Sequence, residues 1–306
     1  MRHKILYFLC LLIACFSFAG TLYAQAVKFE YYQSLIFFKV VVNDKDTALF
    51  LMDTGANASA IDNTLADKLK LEVSKKDTVE GTAGTMITDM VTLDNISIGK
   101  YYVNNLTVSK QDLSGMITPN NQKLSGILGT DFLKHFTFTL DFPKHEIAFL
   151  KVKLNSNTGL RYLPFEMDNG IPRVKVTING TVTTYLRYDS GASLFPTDKL
   201  YLNVPEDVYT KLRAADTSLK PHEYLKGSGI GGELKLPVVT IKRVKNENGT
   251  IDAKAVEMII QPKQGYFARK DAVGFFNNNL LEKFQRVAID ISSGFMILGA
   301  GSLGSN

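Results

Sequence analysis

Cysteine is nearly missing from this chain of 306 residues: only Cys10 and Cys15 occur. Both lie in an N-terminal segment with the anatomy of a secretory signal. Met1-Arg2-His3-Lys4 is a short basic start, Ile5 to Ala19 is almost wholly apolar, and Leu22-Tyr23-Ala24 suits cleavage before Gln25. Removal of residues 1–24 would leave a chain with no thiol nucleophile, no Cys-ligated zinc site and no disulfide, whose stability must come from its cores. An alternative reading makes Leu12-Ile13-Ala14-Cys15 a lipid-attachment signal, with Cys15 anchored. Either way the expected address is extracytoplasmic, periplasmic or secreted.

Three further absences narrow the function. No later stretch approaches the length of a membrane span, so no stable membrane span is expected after the signal. Net charge is small: of the formal +5, two units belong to Arg2 and Lys4, and basic runs are lacking, which argues against a nucleic-acid partner. His135, His145 and His222 are far apart and show no metal-binding spacing, so neither a metal nor any other cofactor is expected.

What is present is a repeat. Asp53-Thr54-Gly55-Ala56 follows the apolar run Leu49 to Met52, and Asp189-Ser190-Gly191-Ala192 follows Tyr185 to Tyr188. Superposing residue i on i+136 aligns both without a gap. Lys39 to Asn43 then falls on Lys175 to Asn179, so each unit reads strand, Asn-centred turn, strand, Asp motif. Asn43-Asp44 and Asn179-Gly180 are hairpin signals. Helical character follows each motif, at Ile61 to Leu71 and from Pro205-Glu206-Asp207.

A Gly-rich stretch comes next in each unit: Gly81-Thr82-Ala83-Gly84, and Gly227-Ser228-Gly229-Ile230-Gly231-Gly232. Both run into β-type sequence and predict hairpin tips. The second fits Gly-x-Gly-x-x-Gly, but a dinucleotide site needs a helix directly afterwards, and Glu233 to Pro237 is strand-like. Each unit closes with an apolar strand, a Gly and a short helix, at Gly126 to Phe136 and Ala272 to Phe284, then a last strand ending at Asp141 or Asp290. Those two carboxylates lack a following Gly and read as strand-end or turn groups. Lys151 to Leu160 reads as the linker, giving lobes over 25–152 and 153–306.

A carboxylate at the end of a buried strand, followed by a hydroxyl and Gly, has a chemical use. Gly lets the backbone turn and bring N–H groups to the carboxylate, and the hydroxyl can orient a neighbour. Two such loops meeting about a pseudo-twofold axis would place two carboxyl groups together, where they share a proton. One could then act as general base on a water while the other polarises a carbonyl.

In these motifs, and in Ile127-Leu128-Gly129 with Ala272-Val273-Gly274, the chain resembles aspartic peptidases of the retropepsin and pepsin clan, once per lobe. The resemblance implies a mostly β, bilobal acid-protease fold of two homologous closed-barrel-like lobes with short helices. It implies a polypeptide substrate and a catalytic pair at Asp53 and Asp189. Thr54, Gly55, Ala56, Ser190, Gly191 and Ala192 would support the catalytic loops. The two Gly-rich hairpins would be flaps over the substrate, and a monomer would suffice. Lobe two departs from the pattern: Arg187 and Tyr188 stand where lobe one has Leu51 and Met52, and a buried Arg there is costly unless paired and could lower the pKa of Asp189. Two other readings stay open, a catalytically silent peptide-binding or assembly module on the same fold, and a peptidase that uses lobe one alone as a homodimer.

Overall fold

The computed structural model describes residues 26–82, 84–154, 161–193, 199–229 and 232–299. The signal segment, most of the linker, Ala83 and Gly231 lie outside the described residues.

The first lobe strings together β1 (Ala26–Lys28), β2 (Glu30–Tyr32), β3 (Leu35–Val42), β4 (Asp46–Met52), β5 (Ala60–Asp62), β6 (Val73–Glu80), β7 (Thr85–Ile98), β8 (Tyr101–Gln111), β9 (Gly126–Leu128), β10 (Thr137–Asp141) and β11 (Glu146–Leu150). The second follows as β12 (Arg161–Pro164), β13 (Glu166–Asp168), β14 (Ile171–Ile178), β15 (Val182–Tyr188), β16 (Tyr201–Pro205), β17 (Glu223–Gly229), β18 (Gly232–Asn246), β19 (Asp252–Gln261), β20 (Gly274–Phe276), β21 (Arg286–Asp290) and β22 (Phe295–Leu298).

Two eight-stranded sheets carry the repeat. Their orders are β2-β3-β4-β9-β5-β8-β7-β6 and β13-β14-β15-β20-β16-β19-β18-β17, so the same path is traced twice. Each curls back on itself, through Val42↔Ile96 in one lobe and Ile178↔Val244 in the other. The turns at 43–44 and 179–180 have positive φ at both central residues, as a two-residue hairpin with the right twist requires. Asn, Asp and Gly are the residues that adopt this region at least cost.

The predicted helices are short. One runs Asn63–Lys68, capped by the Asp62 carboxylate on Thr64 N–H. The other runs Glu206–Ala215 and buries Val208 and Leu212, four residues apart on one face. The Gly227–Gly232 region is an antiparallel hairpin in which Gly229 pairs with Gly232, with a strand and not a helix after it. Among the described residues, no helix is long and apolar enough to cross a membrane.

A third sheet, β1-β11-β10-β21-β22-β12, joins the lobes. Its centre is the antiparallel pair β10–β21, with Thr139 opposite Ala288. Asp141 and Asp290 end these strands. Asp141 pairs with Arg286 at 2.7 Å, and Asp290 accepts the N–H groups of Leu154 (3.0 Å) and Ser293 (2.9 Å). The apolar core runs continuously through both lobes and this seam, with an aromatic group of Phe132, Phe136, Phe138 and Phe149 beneath the β9 side of lobe one.

Candidate active site

Asp53 and Asp189 leave equivalent strand ends. β4 is parallel to β9, with Met52 beside Leu128, and Asp53 N–H bonds the Leu128 carbonyl at 2.9 Å. β15 is parallel to β20, with Tyr188 beside Phe276, and Asp189 N–H bonds the Phe276 carbonyl at 2.9 Å. Each carboxylate is therefore set by a buried, doubly flanked strand.

This pairing corrects one sequence expectation. The counterpart of Gly126-Ile127-Leu128-Gly129 in lobe two is Gly274-Phe275-Phe276-Asn277, not Ala272-Val273-Gly274. Gly274 takes the place of Gly126 at the start of the strand. The place of Gly129, preceding the short helix, falls to Asn277, whose side chain caps Asn279 N–H. Gly129 and Gly274 share a residue type and not a place, because the cap position of lobe two is held by a different residue type.

The two loops grip one another through four hydrogen bonds. Thr54 N–H donates to Ser190 Oγ (2.9 Å) and Ser190 N–H donates to Thr54 Oγ1 (2.9 Å). In turn Thr54 Oγ1 donates to the Tyr188 carbonyl (2.8 Å) and Ser190 Oγ to the Met52 carbonyl (2.9 Å). Thr54 and Ser190 are fully buried. Each hydroxyl both accepts and donates, so no polar group in this knot is left unpaired.

The grip carries each Gly up to the opposite carboxyl group. A Cβ on Gly55 would lie 2.5 Å from Asp189 Cγ, and one on Gly191 would lie 2.2 Å from Asp53 Cγ. Only hydrogen fits at either position. Backbone donors surround the acids: Gly55 N–H (2.8 Å) and Ala56 N–H (3.1 Å) on Asp53 Oδ1, and Gly191 N–H (3.0 Å) on Asp189 Oδ1.

The two carboxyl groups are also hydrogen-bonded to each other, and their environments differ. Burial raises the pKa of Asp53, while the Gly55 amide and the bond from Asp189 work in the opposite direction. Burial raises Asp189 further, followed by the charge of Asp53 and the bond to it. Burial thus raises both carboxyl groups above the usual carboxylate range, and two acids so close titrate as a pair.

Arg187 does not disturb this balance. Its side chain points away from the pair, to Asp168, with Nη2 at 2.7 Å and Nε at 3.1 Å from Oδ2. Its guanidinium also lies 4.2 Å from the ring centroid of Tyr266. The anticipated lowering of Asp189 by Arg187 gives way to a rise, whose largest causes are burial and the charge of Asp53.

Several supporting residues were not singled out from sequence. In lobe one, Ser59 Oγ donates to Asp131 Oδ1 (2.6 Å) and accepts from Gly129 N–H (3.0 Å), bracing the loop from below. Ala56 O accepts Thr130 N–H at 2.9 Å. In lobe two, Asn277 Nδ2 reaches Ala192 O (3.0 Å), and the buried Asn278 bridges Tyr188 OH (2.6 Å), Ser34 O (2.7 Å) and Ser190 O (3.3 Å). The Asn277-Asn278-Asn279 run has no counterpart in lobe one, where Gly129-Thr130-Asp131 stands. Three adjacent amides beside an apolar strand were the signal.

Both Gly-rich stretches are hairpin tips. Gly81 N–H closes the first on Gly84 O at 2.8 Å, next to Thr82. In the second, Gly227 pairs with Leu234 and Ser228 with Glu233 along the β17–β18 ladder. Among the described residues, no cluster of three His, Asp or Glu side chains could hold a metal ion.

Comparison with known families supports the same class. Residues 38–132 match the aspartyl protease family model. The match runs from β3 to the helix after β9, and so spans the Asp53 loop, the first hairpin and the Gly129 element. It supports recognition of an aspartic peptidase of the retropepsin and pepsin type. No curated protein matches the chain.

Proposed function

We propose that the chain is an aspartic endopeptidase whose dyad is Asp53 and Asp189, one from each lobe. The observation that carries this reading is the reciprocal Thr54–Ser190 grip, which sets Gly55 against the Asp189 carboxyl group and Gly191 against that of Asp53 at the lobe junction.

In this mechanism a water lies between the acids and a substrate peptide crosses the cleft beneath the hairpins. Asp53 accepts a proton from the water as its oxygen attacks the scissile carbonyl carbon. Asp189 gives its proton to the carbonyl oxygen, producing a tetrahedral diol. On collapse the C–N bond breaks and the amine nitrogen takes the proton held by Asp53. A diol hydroxyl returns its proton to Asp189, and the starting state is restored. Neither metal nor covalent intermediate enters these steps.

The chain is further proposed to act outside the cytoplasm, after removal of residues 1–24. The lack of Cys beyond that segment suits such a compartment. The test is digestion of a mixed peptide library from acid to neutral pH. Cleavage that disappears in both Asp53→Asn and Asp189→Asn supports the dyad. Activity that survives Asp189→Asn overturns it in favour of a lobe-one homodimer. No cleavage by wild type, with peptide binding retained, assigns a silent clamp.

A further inference from the structure

The first hairpin does not end in open space. Its tip belongs to lobe one, yet it rests on lobe two. Tyr266 N–H donates to the Gly81 carbonyl at 3.0 Å. Gly265, with φ of +48°, lies so close that a Cβ there would be 2.5 Å from Gly81 O, 2.5 Å from Gly84 N and 2.8 Å from Thr82 O. Beside it, Arg269 Nη1 reaches Glu80 Oε2 at 3.3 Å while its other edge pairs with Asp271.

This contact is fastened to the floor of the second lobe. Tyr266 OH accepts Val273 N–H at 2.8 Å, immediately before β20, the strand that supports Asp189. Arg187, on β15, holds the Tyr266 ring from one side and is itself fixed by Asp168. Arg269 approaches the same ring, its guanidinium 5.6 Å from the centroid. A residue that looked misplaced behind the catalytic loop thus has a defined position between that loop and the hairpin.

Among the described residues the second hairpin shows no such contact. A Cβ on Gly232 would meet nothing within 4 Å, and on lobe one Met116 and Ile117, ahead of the Pro119–Asn121 turn, stand exposed.

We propose that Gly265, Tyr266 and Arg269 form a clasp that holds the first hairpin shut across the cleft in the resting protein, and that Arg187 is the positioning residue that keeps the clasp in register with the Asp189 loop. Opening the clasp is then the step that admits a polypeptide. The consequence for turnover rests on the peptidase reading; the clasp itself is measurable on a protein with no activity.

The test is amide hydrogen exchange of the segment 78–88 in the full resting chain. Gly265→Ala puts a methyl into backbone and should speed exchange there by about tenfold or more. Arg269→Ala removes an exposed ion pair and should speed it by about twofold to fivefold, the range of a surface pair. Arg187→Met should resemble Gly265→Ala, and Arg187→Lys should recover only part, since a Lys cannot fork onto Asp168 while stacking on a ring. The β10–β21 ladder is the internal control. Faster exchange confined to 78–88 supports the clasp. Unchanged exchange of 78–88 in both Gly265→Ala and Arg269→Ala overturns it, whether or not the wild type cuts peptides. If Arg187→Met exchanges faster everywhere, its role is structural and the positioning claim falls. With activity present, Arg269→Ala should raise kcat/KM for a protein substrate more than for a short peptide. Equal effects on both would sever the clasp from substrate entry.

Discussion

The two lobes share a strand order, an Asp loop and a hairpin, and differ in nearly everything that touches them. Lobe one braces its loop with Ser59 and Asp131, a hydroxyl and a carboxylate on loop and helix. Lobe two uses amides and a phenol, through Asn277, Asn278 and Tyr188. Lobe one's hairpin crosses to the partner lobe and is held there, while the described part of the second has no such contact. What both keep is the set of four hydroxyl–backbone bonds. Geometry at the centre is therefore fixed by the grip, and the surroundings are free to make the two acids unequal.

The largest effect expected from breaking that inequality is on turnover. Replacing either acid with Asn should lower the cleavage rate by at least about 10²–10⁴, the usual share of a general acid or base. Peptide-library digestion checks it, and unequal losses would show which acid carries more of the chemistry.

Next comes the grip. Thr54→Val and Ser190→Ala each strand a buried N–H and a buried carbonyl across the lobe junction. Each should cost about 2–5 kcal/mol in chemical unfolding, from desolvated groups left unpaired. The two losses should agree within about 1 kcal/mol, since the bond set is symmetric. A large difference would show that one loop dominates the junction.

Asn278→Ala removes support from lobe two alone and leaves Tyr188 OH and two carbonyls short of partners. About 2–3 kcal/mol is expected, with a fall in kcat exceeding that of an equally destabilising change at Phe132, a buried core side chain of lobe one.

The smallest effect is a pH dependence of stability. Asp189 binds its proton more tightly when folded than when unfolded. Between the ordinary carboxylate pKa and the raised one the native chain holds more protons, so its stability is full in acid and declines as pH rises through the folded value. Asp189→Asn cannot ionise. Its Tm relative to wild type should climb from acid toward neutral pH, by roughly 2–4 °C for each kcal/mol relieved. A flat difference would mean that folding does not raise the pKa of Asp189.

Much of this was legible from residues in sequence. Asn43-Asp44 and Asn179-Gly180 demand positive φ locally, the Asp motifs end apolar strands, and Val208 with Leu212 marks a helix face. These are short-range constraints, and a linear reading finds them. The parts that escaped depend on strands meeting across the sheet. Arg187 looked costly because its partner, Asp168, sits two strands away, reached only once β13, β14 and β15 are laid side by side. Gly274 resembles Gly129 in residue type, while its place in the sheet is that of Gly126. The β10–β21 seam left no trace because its alternating apolar strands resemble any others. Flap contact with Gly265 depends on a loop that no local pattern ties to Gly81.

The seam has a consequence for the chain as two pieces. Residues 26–154 and 161–299, made separately, would each carry a strand with one bare edge, β10 beside β11 in one and β21 beside β22 in the other, and bare edges seek partners. Mixed, they can rebuild the five-residue ladder and with it one Asp53 facing one Asp189. Alone, each can cover its edge only with a copy of itself, and would then bring together two Asp53 or two Asp189 side chains. Fragment mixing thus converts the symmetry of the repeat into an assay, in which recovered function counts correctly matched halves.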